Sequence, residues 1–331
     1  MKAIVMTAIG ESDVLVEQTL AQPTIQHSTQ IKVRLHAAGV NPVDTKVRRN
    51  GLFYPNATLP AVLGCDGAGE VVEVGTDVTQ FNIGDKVWFC HGGLGREQGN
   101  YAQYTVIDSR WASLMPQSVS FETAAAAPLV LITAWNALFE RGNLQAGQTV
   151  LIHAGAGGVG HVAIQLAKMA GAHVITTVSS TEKADFVKTL GADDIVFYNT
   201  SNVTDEVNRL TQNRGADLVF DTVGSDVFKL SIGCTAHFGR LITILDASHL
   251  DLSEARMRNL LIGFELMLTP MLRDLDSARD KHVELLKKCA DFIDAGTLKI
   301  HVSEVLPLEH ASRAHDLIEA GRTTGKLVLS I

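Results

Sequence analysis

The chain of 331 residues reads as an α/β protein, a doubly wound parallel sheet beside a second, β-rich domain. Three observations predict this. A glycine-rich turn joins an apolar run to a helical pattern at 149–171, and strand and helix patterns alternate from there to about residue 268. The first 122 residues instead show short β-prone runs without that alternation.

The organising stretch is TVLIHAGAGGVGHVAIQLAKMAG, Thr149 to Gly171. Its turn spells G-x-G-x-x-G with Gly155, Gly157 and Gly160. Gly155 is expected to adopt backbone angles a Cβ forbids, Gly157 to let a pyrophosphate approach, and Gly160 to let helix and strand pack closely. The phosphates would rest on the helix N-terminus at Gly158 and Val159, where unpaired amides and the helix dipole favour an anion. The pattern is that of a Rossmann dinucleotide site. No Gly-Lys-Ser/Thr follows, which excludes a Walker-type loop.

Composition bounds the rest. Hydrophobic residues make up 46% and charged residues 19%, with 28 glycines, as in a globular protein rich in tight turns. A formal net charge of −8 argues against nucleic acid or an anionic membrane as a general partner. The N-terminus alternates like a strand and lacks a signal cleavage pattern, and the longest apolar stretch, Ala124 to Leu138, is broken by Pro128. Cytoplasmic localisation is therefore expected. Cys65, Cys90, Cys234 and Cys289 are far apart, which supports neither a disulfide framework nor a cysteine-built zinc site.

Taken in order, strands are expected at Lys2–Thr7, Gln30–Ala38, Gly69–Val74 and Lys86–Phe89, and an alanine-rich helix over Thr123–Phe139. After the glycine turn come a strand at His173–Ser179, a helix at Thr181–Leu190, a strand at Asp194–Tyr198 and a helix at Val203–Thr211. A strand at Asp217–Thr222, a helix at Val227–Cys234 and a strand at Gly239–Ile244 complete at least five parallel strands. The tail adds a helix at His282–Ile293, His301–Leu306, a helix at Leu308–Ala320 and a strand at Lys326–Ile331, expected to fold back onto the first domain. The domain bounds read 1–122, 123–268 and 269–331.

Several separated motifs in this order carry a family resemblance: GVNPVD from Gly39 to Asp44, PAVLGCDGAG from Pro60 to Gly69, GDKV from Gly84 to Val87, the Ala124–Leu138 helix, the His153–Lys168 loop and helix, and DTVG from Asp221 to Gly224. Over essentially its whole length the chain resembles the medium-chain dehydrogenase/reductase superfamily, and within it the zinc-independent quinone oxidoreductase and zeta-crystallin group. The resemblance implies a GroES-like first domain, an inserted Rossmann domain and a C-terminal return. Zinc-dependent relatives bind a catalytic metal through Cys, His and Cys, positions that here fall on Asn41, Cys65 and Leu129, a set unsuited to zinc. No metal is expected.

An NAD-type site needs an acid at the end of the second strand, whereas this strand ends in Ser179-Ser180-Thr181 followed by Glu182 and Lys183. By analogy with NADPH-using relatives, Ser179, Lys183 and Tyr198 would surround the 2′-phosphate, with Arg322 and Lys326 as weaker candidates. The resemblance further implies that Asn41 and Thr133 lie at the nicotinamide end, with backbone near Leu245 holding the carboxamide. On residue chemistry alone Asn41 is equally a turn residue before Pro42, Thr133 a helix-face residue and Lys183 a solvated surface lysine. The implied reaction is hydride transfer from NADPH to a quinone or α,β-unsaturated carbonyl, with Tyr54 as the side-chain proton donor or solvent in its place. Tyr54 has a plain alternative as a packed tyrosine with one hydrogen bond. Cys65, Asp66, His153 and His161 read as structural. Competing functions are a zinc alcohol dehydrogenase and a nucleotide-binding structural or regulatory protein with little turnover. The apolar Ile262–Leu268 run resembles the strand through which relatives form homodimers, and reads equally as an ordinary sixth strand.

Overall fold

The computed structural model describes residues 1–246 and 251–331. They form two compact units, 1–129 with 268–331, and 130–267. Each unit is built around its own sheet.

The first unit opens with β1 (Lys2–Met6), β2 (Leu15–Thr19) and the long β3 (Gln30–Val40), followed by helix α1 (Pro42–Asn50). Then come β4 (Ala61–Val62), β5 (Asp66–Val74), β6 (Lys86–Cys90), β7 (Tyr104–Asp108) and β8 (Ser113–Leu114). β1 lies between β2 and β4 in a small antiparallel sheet. Alternating burial along β3 places Ile31, Val33 and Leu35 in a core with Val71, Val87 and Phe89.

The expected single helix over Thr123–Phe139 is instead three pieces: α2 (Phe121–Ala125), α3 (Pro128–Trp135) and a π-helical segment, Asn136–Arg141. Pro128 has no N–H and disfavours helical angles at the residue before it, so the first helix stops and the second begins at the proline.

In the second unit strand and helix alternate: β9 (Thr149–Ile152), α4 (Gly158–Met169), β10 (His173–Val178), α5 (Thr181–Thr189), β11 (Asp194–Phe197), α6 (Val203–Leu210), β12 (Ala216–Asp221), α7 (Asp226–Cys234), β13 (Thr235–Thr243), α8 (Ser253–Met257) and β14 (Leu261–Phe264). Their order in the sheet is β11-β10-β9-β12-β13-β14, all parallel. β9 is central and wholly buried, as a strand covered on both faces must be. The chain winds outward from β9 through β10 and β11, then returns to β12 on its other side. That reversal opens a crevice at the carboxyl ends of the strands, where the glycine turn lies.

The remaining chain supplies α9 (Thr269–Leu272), α10 (Asp276–Asp294), β15 (Val302–Pro307), α11 (Ala311–Glu319) and β16 (Lys326–Ser330). β16 pairs antiparallel with β3, so the tail returns to the first unit and completes a sheet ordered β15-β16-β3-β5-β6-β8, with β7 also on β3. Buried Arg48 on α1 fastens this return through two hydrogen bonds to Glu319 at 2.8 and 2.9 Å.

Candidate cofactor and substrate site

Within the second unit, the turn after β9 leads directly into α4. Gly157 caps the helix with φ −79° and ψ 179°, and no side chain bonds to the first turn. Gly157, Gly158 and Val159 are partly exposed between buried neighbours. Here the helix amides are open to a ligand. A Cβ on Gly160 would strike the Ala154 carbonyl and come within 2.7 Å of the Gly155 Cα, so close packing of helix and turn demands glycine. The reason for Gly155 is different from that expected: the positive φ, 51°, belongs to Ala154. Gly155 is required because a Cβ would run into the Thr176 hydroxyl and Ile164.

The turn is braced from below. His153, at the end of β9, is buried, and burial pushes its pKa down to about 4, so the ring is neutral. Ser231 donates to the Val227 carbonyl at 2.6 Å and therefore accepts from His153 Nε2 at 3.0 Å. Nδ1 is then the acceptor facing Thr177 Oγ1 at 3.3 Å, and Thr177 Oγ1 in turn accepts the Ala154 N–H at 3.0 Å. His161 is likewise buried, its Nδ1 3.1 Å from the Gly157 carbonyl. Both histidines serve the turn's shape.

At the end of β10 no carboxylate is present: Val178 is followed by Ser179 and by Ser180, whose side chain accepts the Lys183 N–H and caps α5. The Tyr198 N–H donates to the Val178 carbonyl at 3.2 Å, and the Asn199 amide to the Ser179 carbonyl at 3.0 Å. These bonds bring Ser179, Lys183 and Tyr198 to one edge. Lys183 makes no ion pair among the described residues, and the Tyr198 ring is exposed.

Leu245 follows β13, its N–H donating to Thr243 Oγ1 at 3.2 Å, and its side chain packs where Gly224 leaves room. Buried Asp221 fixes both loops: Oδ1 accepts the Val223 and Gly224 N–H groups at 2.9 Å each, and Oδ2 accepts from Thr243 Oγ1 at 2.9 Å. Thr133 is buried on α3.

The first unit holds Asn41 at the N-terminus of α1, fully buried. Its N–H donates to Asp44 Oδ2 at 2.9 Å, its side-chain amide donates to Asp66 Oδ2 at 2.9 Å, and its side-chain oxygen accepts from Lys326 Nζ. Lys326 also donates to the Val40 carbonyl at 3.0 Å and lies 3.9 Å from Asp66 Oδ2. Lys326 is thus a buried partner of Asp66 and Asn41, not a cation waiting for a 2′-phosphate, as the sequence suggested; it is only 3% exposed. Arg322 stays on the surface.

Burial raises the pKa of both carboxyls, Asp44 to about 7 and Asp66 to about 6, against the pull of Lys326 and their hydrogen bonds. Asp44 Oδ2 also accepts from Tyr101 at 3.1 Å, while Oδ1 is a buried atom with no partner. Asp66 Oδ1 accepts the Leu129 N–H at 2.9 Å, so Asp66 ties together Asn41 and Leu129, two of the three positions that the family resemblance matches to zinc ligands. The donor set does not fit zinc. Leu129 has no donor atom, the Asn41 amide is engaged at both ends, and an ammonium adjoins it. Among the described residues no three His, Cys, Asp or Glu side chains converge as a metal site.

Among the described residues Tyr54 makes no hydrogen bond to this cluster. Its hydroxyl donates to the Met271 carbonyl at 2.9 Å, and Arg96 lies over its ring at 4.6 Å. Partial burial and Glu97 raise its pKa. That is the single bond of a packed tyrosine. Cys65 is buried, with its thiol pushed well up by burial and by Asp44, and Asp66 is committed to its partners, so neither acts as a nucleophile.

A glycine cradle at the switch point of a parallel sheet, joined in one chain to a β-rich unit with a closed polar cluster, defines a nucleotide-dependent oxidoreductase of two domains. Residues 27–117 match the alcohol dehydrogenase GroES-like domain family, and residues 190–329 match the family described as zinc-binding dehydrogenase. The chain is 36% identical to a quinone oxidoreductase of Pseudomonas aeruginosa over 99% of both chains. It is 32% identical to a 2-haloacrylate reductase of a Burkholderia species, over 91% of this chain and 90% of that one. The Escherichia coli quinone oxidoreductase, solved as a complex with NADPH, superposes with a TM-score of 0.88 at 28% identity over all of both chains. The chain belongs to the medium-chain dehydrogenase/reductase superfamily, in its quinone oxidoreductase group.

Proposed function

We propose that this protein reduces quinones or α,β-unsaturated carbonyl compounds with NADPH, without zinc. The observation that carries the reading is the edge where β10 ends without an acid, with Ser179 after it, Lys183 in the first turn of α5 and Tyr198 after β11. Hydroxyls and an ammonium satisfy a 2′-phosphate dianion, and a carboxylate there would repel it. The relative solved with NADPH agrees with this choice.

When bound, the cofactor supplies a hydride from C4 of its nicotinamide ring. The amides of Gly157, Gly158 and Val159 would hold its pyrophosphate, with Gly155 and Gly160 keeping helix and strand close. Thr133 and the backbone of Leu245 would hold the nicotinamide end, and the family resemblance assigns Asn41 of the first unit to the same end. Asp44, Asp66 and Lys326 fix the Asn41 rotamer. The acceptor gains a hydride and a proton overall. We assign the proton to solvent, since the Tyr54 hydrogen already points at the Met271 carbonyl.

A substrate that carries its own electron sink needs no Lewis acid. A 2-haloacrylate, the substrate class in one relative's name, is such a conjugated acceptor. This disfavours an alcohol dehydrogenase.

We further propose a cytoplasmic homodimer. Leu261 and Phe264 of β14 are each 57% exposed and Leu266 is 50% exposed, and β14 is an edge strand of its sheet among the described residues. The four cysteines are free, and among the described residues no helix is long and apolar enough to cross a membrane.

The deciding experiment is isothermal titration with NADPH and with NADH, followed by quinone turnover. A preference for NADPH of tenfold or more, about 1.4 kcal/mol, is expected. Equal affinity would remove the 2′-phosphate assignment, and stoichiometric zinc in the purified enzyme would overturn the metal-free mechanism. A monomer by light scattering would overturn the dimer.

A further inference from the structure

Arg279, in the first turn of α10, is a buried cation that forms no ion pair among the described residues. It is 5% exposed, its guanidinium stacks 3.4 Å from the centre of the Trp111 ring, and Nη2 lies 2.8 Å from His91 Nδ1. His91 is itself buried, and burial together with Arg279 and Arg96 pushes its pKa down to about 3. It is therefore neutral and accepts the Arg279 hydrogen. It cancels none of the charge.

Among the described residues, four acids of this region are held by other arginines. Asp276 and Asp280 pair with Arg110 at 3.1 and 3.0 Å, and Glu97 and Asp274 pair with Arg96 at 2.8 and 2.7 Å. Among the described residues Arg279 forms no ion pair, and burial lowers its pKa. Arg96 covers the Tyr54 ring, and both arginines act electrostatically on the Tyr54 hydroxyl. Burying an unpaired charge is costly, and folds keep one where something else supplies the opposite sign. Trp111 stacks on the guanidinium and His91 takes one of its N–H groups. A guanidinium held in this way offers its other N–H groups as a fork, whose natural complement is a planar carboxylate.

We propose that Arg279, held by Trp111 and His91, is an anion subsite that binds the carboxylate of an unsaturated acid, making conjugated acids the preferred acceptors of this oxidoreductase. The substrate assignment rests on the reductase reading above. The subsite can be tested apart from it.

The first arm is calorimetric, with protein saturated in NADP+ and titrated with benzoate and with its neutral isostere benzamide. Benzoate should bind at least tenfold more tightly in the wild type, and the advantage should vanish in Arg279→Met and return in part in Arg279→Lys. Equal binding of the two probes to the wild type overturns the subsite without any variant. The second arm compares kcat/KM for 1,4-naphthoquinone-2-sulfonate and 1,4-naphthoquinone, and Arg279→Met should lower the charged-to-neutral ratio tenfold or more, through KM. An unchanged ratio overturns the substrate assignment. Reduction of neither quinone sinks the reductase reading, while the benzoate arm still decides the subsite.

Discussion

Gly157→Ala separates what the glycine turn does for the fold from what it does for the ligand. Gly157 has φ −79° and ψ 179°, which alanine adopts without strain, and a Cβ there would meet a single atom, the Ala154 carbonyl oxygen, at 3.2 Å. That contact is tight but isolated. Alanine also narrows the unfolded ensemble, a gain of about 0.4–1 kcal/mol, so the melting temperature should stay level or rise slightly. The methyl group, however, stands over the amides that a pyrophosphate must reach. Losing one charge-assisted hydrogen bond costs about 1.5–3 kcal/mol, and the dissociation constant for NADPH should therefore rise at least tenfold. Gly160→Ala supplies the contrast, because its Cβ would collide with the backbone of Ala154 and Gly155, and no side chain can swing aside. The helix must back off the strand, so that variant should lose stability and binding together. Thermal denaturation and isothermal titration on both variants decide the matter. Wild-type NADPH affinity in Gly157→Ala, or an equal fall in melting temperature for the two variants, would refute the reasoning.

Three further outcomes are expected. Lys183→Ala should weaken NADPH binding by about tenfold, the scale of one charge-assisted contact at a partly exposed site, and leave NADH binding unchanged in the same titration. Tyr54→Phe should cost about 1 kcal/mol of stability through the lost bond to Met271 with little change in kcat; a tenfold fall in kcat at constant NADPH affinity would make the phenol the proton donor. Asp44→Asn mimics the protonated carboxyl. Because the folded pKa of Asp44 is raised to about 7 from 3.8, the folded chain holds the extra proton between those values. The wild type should then lose stability relative to the variant as pH rises from 4 through 7, by as much as about 4 kcal/mol. The buried histidines, which titrate oppositely, are common to both proteins, and a flat difference in urea midpoint across that range would show that Asp44 ionises normally.

The parallel sheet was legible because its physics is local. Each strand from β9 to β12 is a short run rich in apolar residues, and two of the helices carry their own side-chain caps, Ser180 for α5 and Asn202 for α6. The break at Pro128 was visible as a residue but was masked by the alanine-rich composition on both sides. At the glycine turn the motif located the cradle, whereas the distribution of strain within it escaped: the motif cannot reveal that Ala154 takes the positive φ while Gly155 is kept small by Thr176, a contact from the neighbouring strand. Ser179, Lys183 and Tyr198 were grouped on the family resemblance, and they follow adjacent strands or open the helix between them. Arg279, Trp111 and His91 could not, being brought together from α10 and two separate loop regions.

The polar cluster around Asn41 marks the limit most clearly. Lys326 and Asn41 are 285 positions apart, and only the return of β16 beside β3 makes them neighbours. The one signal in the sequence was a lysine opening an otherwise apolar strand, KLVLS, which reads as a solvated strand end until the pairing is known. Its burial changes the chemistry assigned to this position. Zinc would bring a divalent charge to thiolates. Here an ammonium lies beside Asp66 and acts on Asp44, two carboxyls whose pKa values burial has raised, and Asn41 is held by Asp44, Asp66 and Lys326 in an orientation that suits no metal. Such a cluster can position a ligand by hydrogen bonds but cannot acidify an alcohol as a metal does. Residues so poorly suited to a metal accord with our proposal of an acceptor activated by its own conjugation.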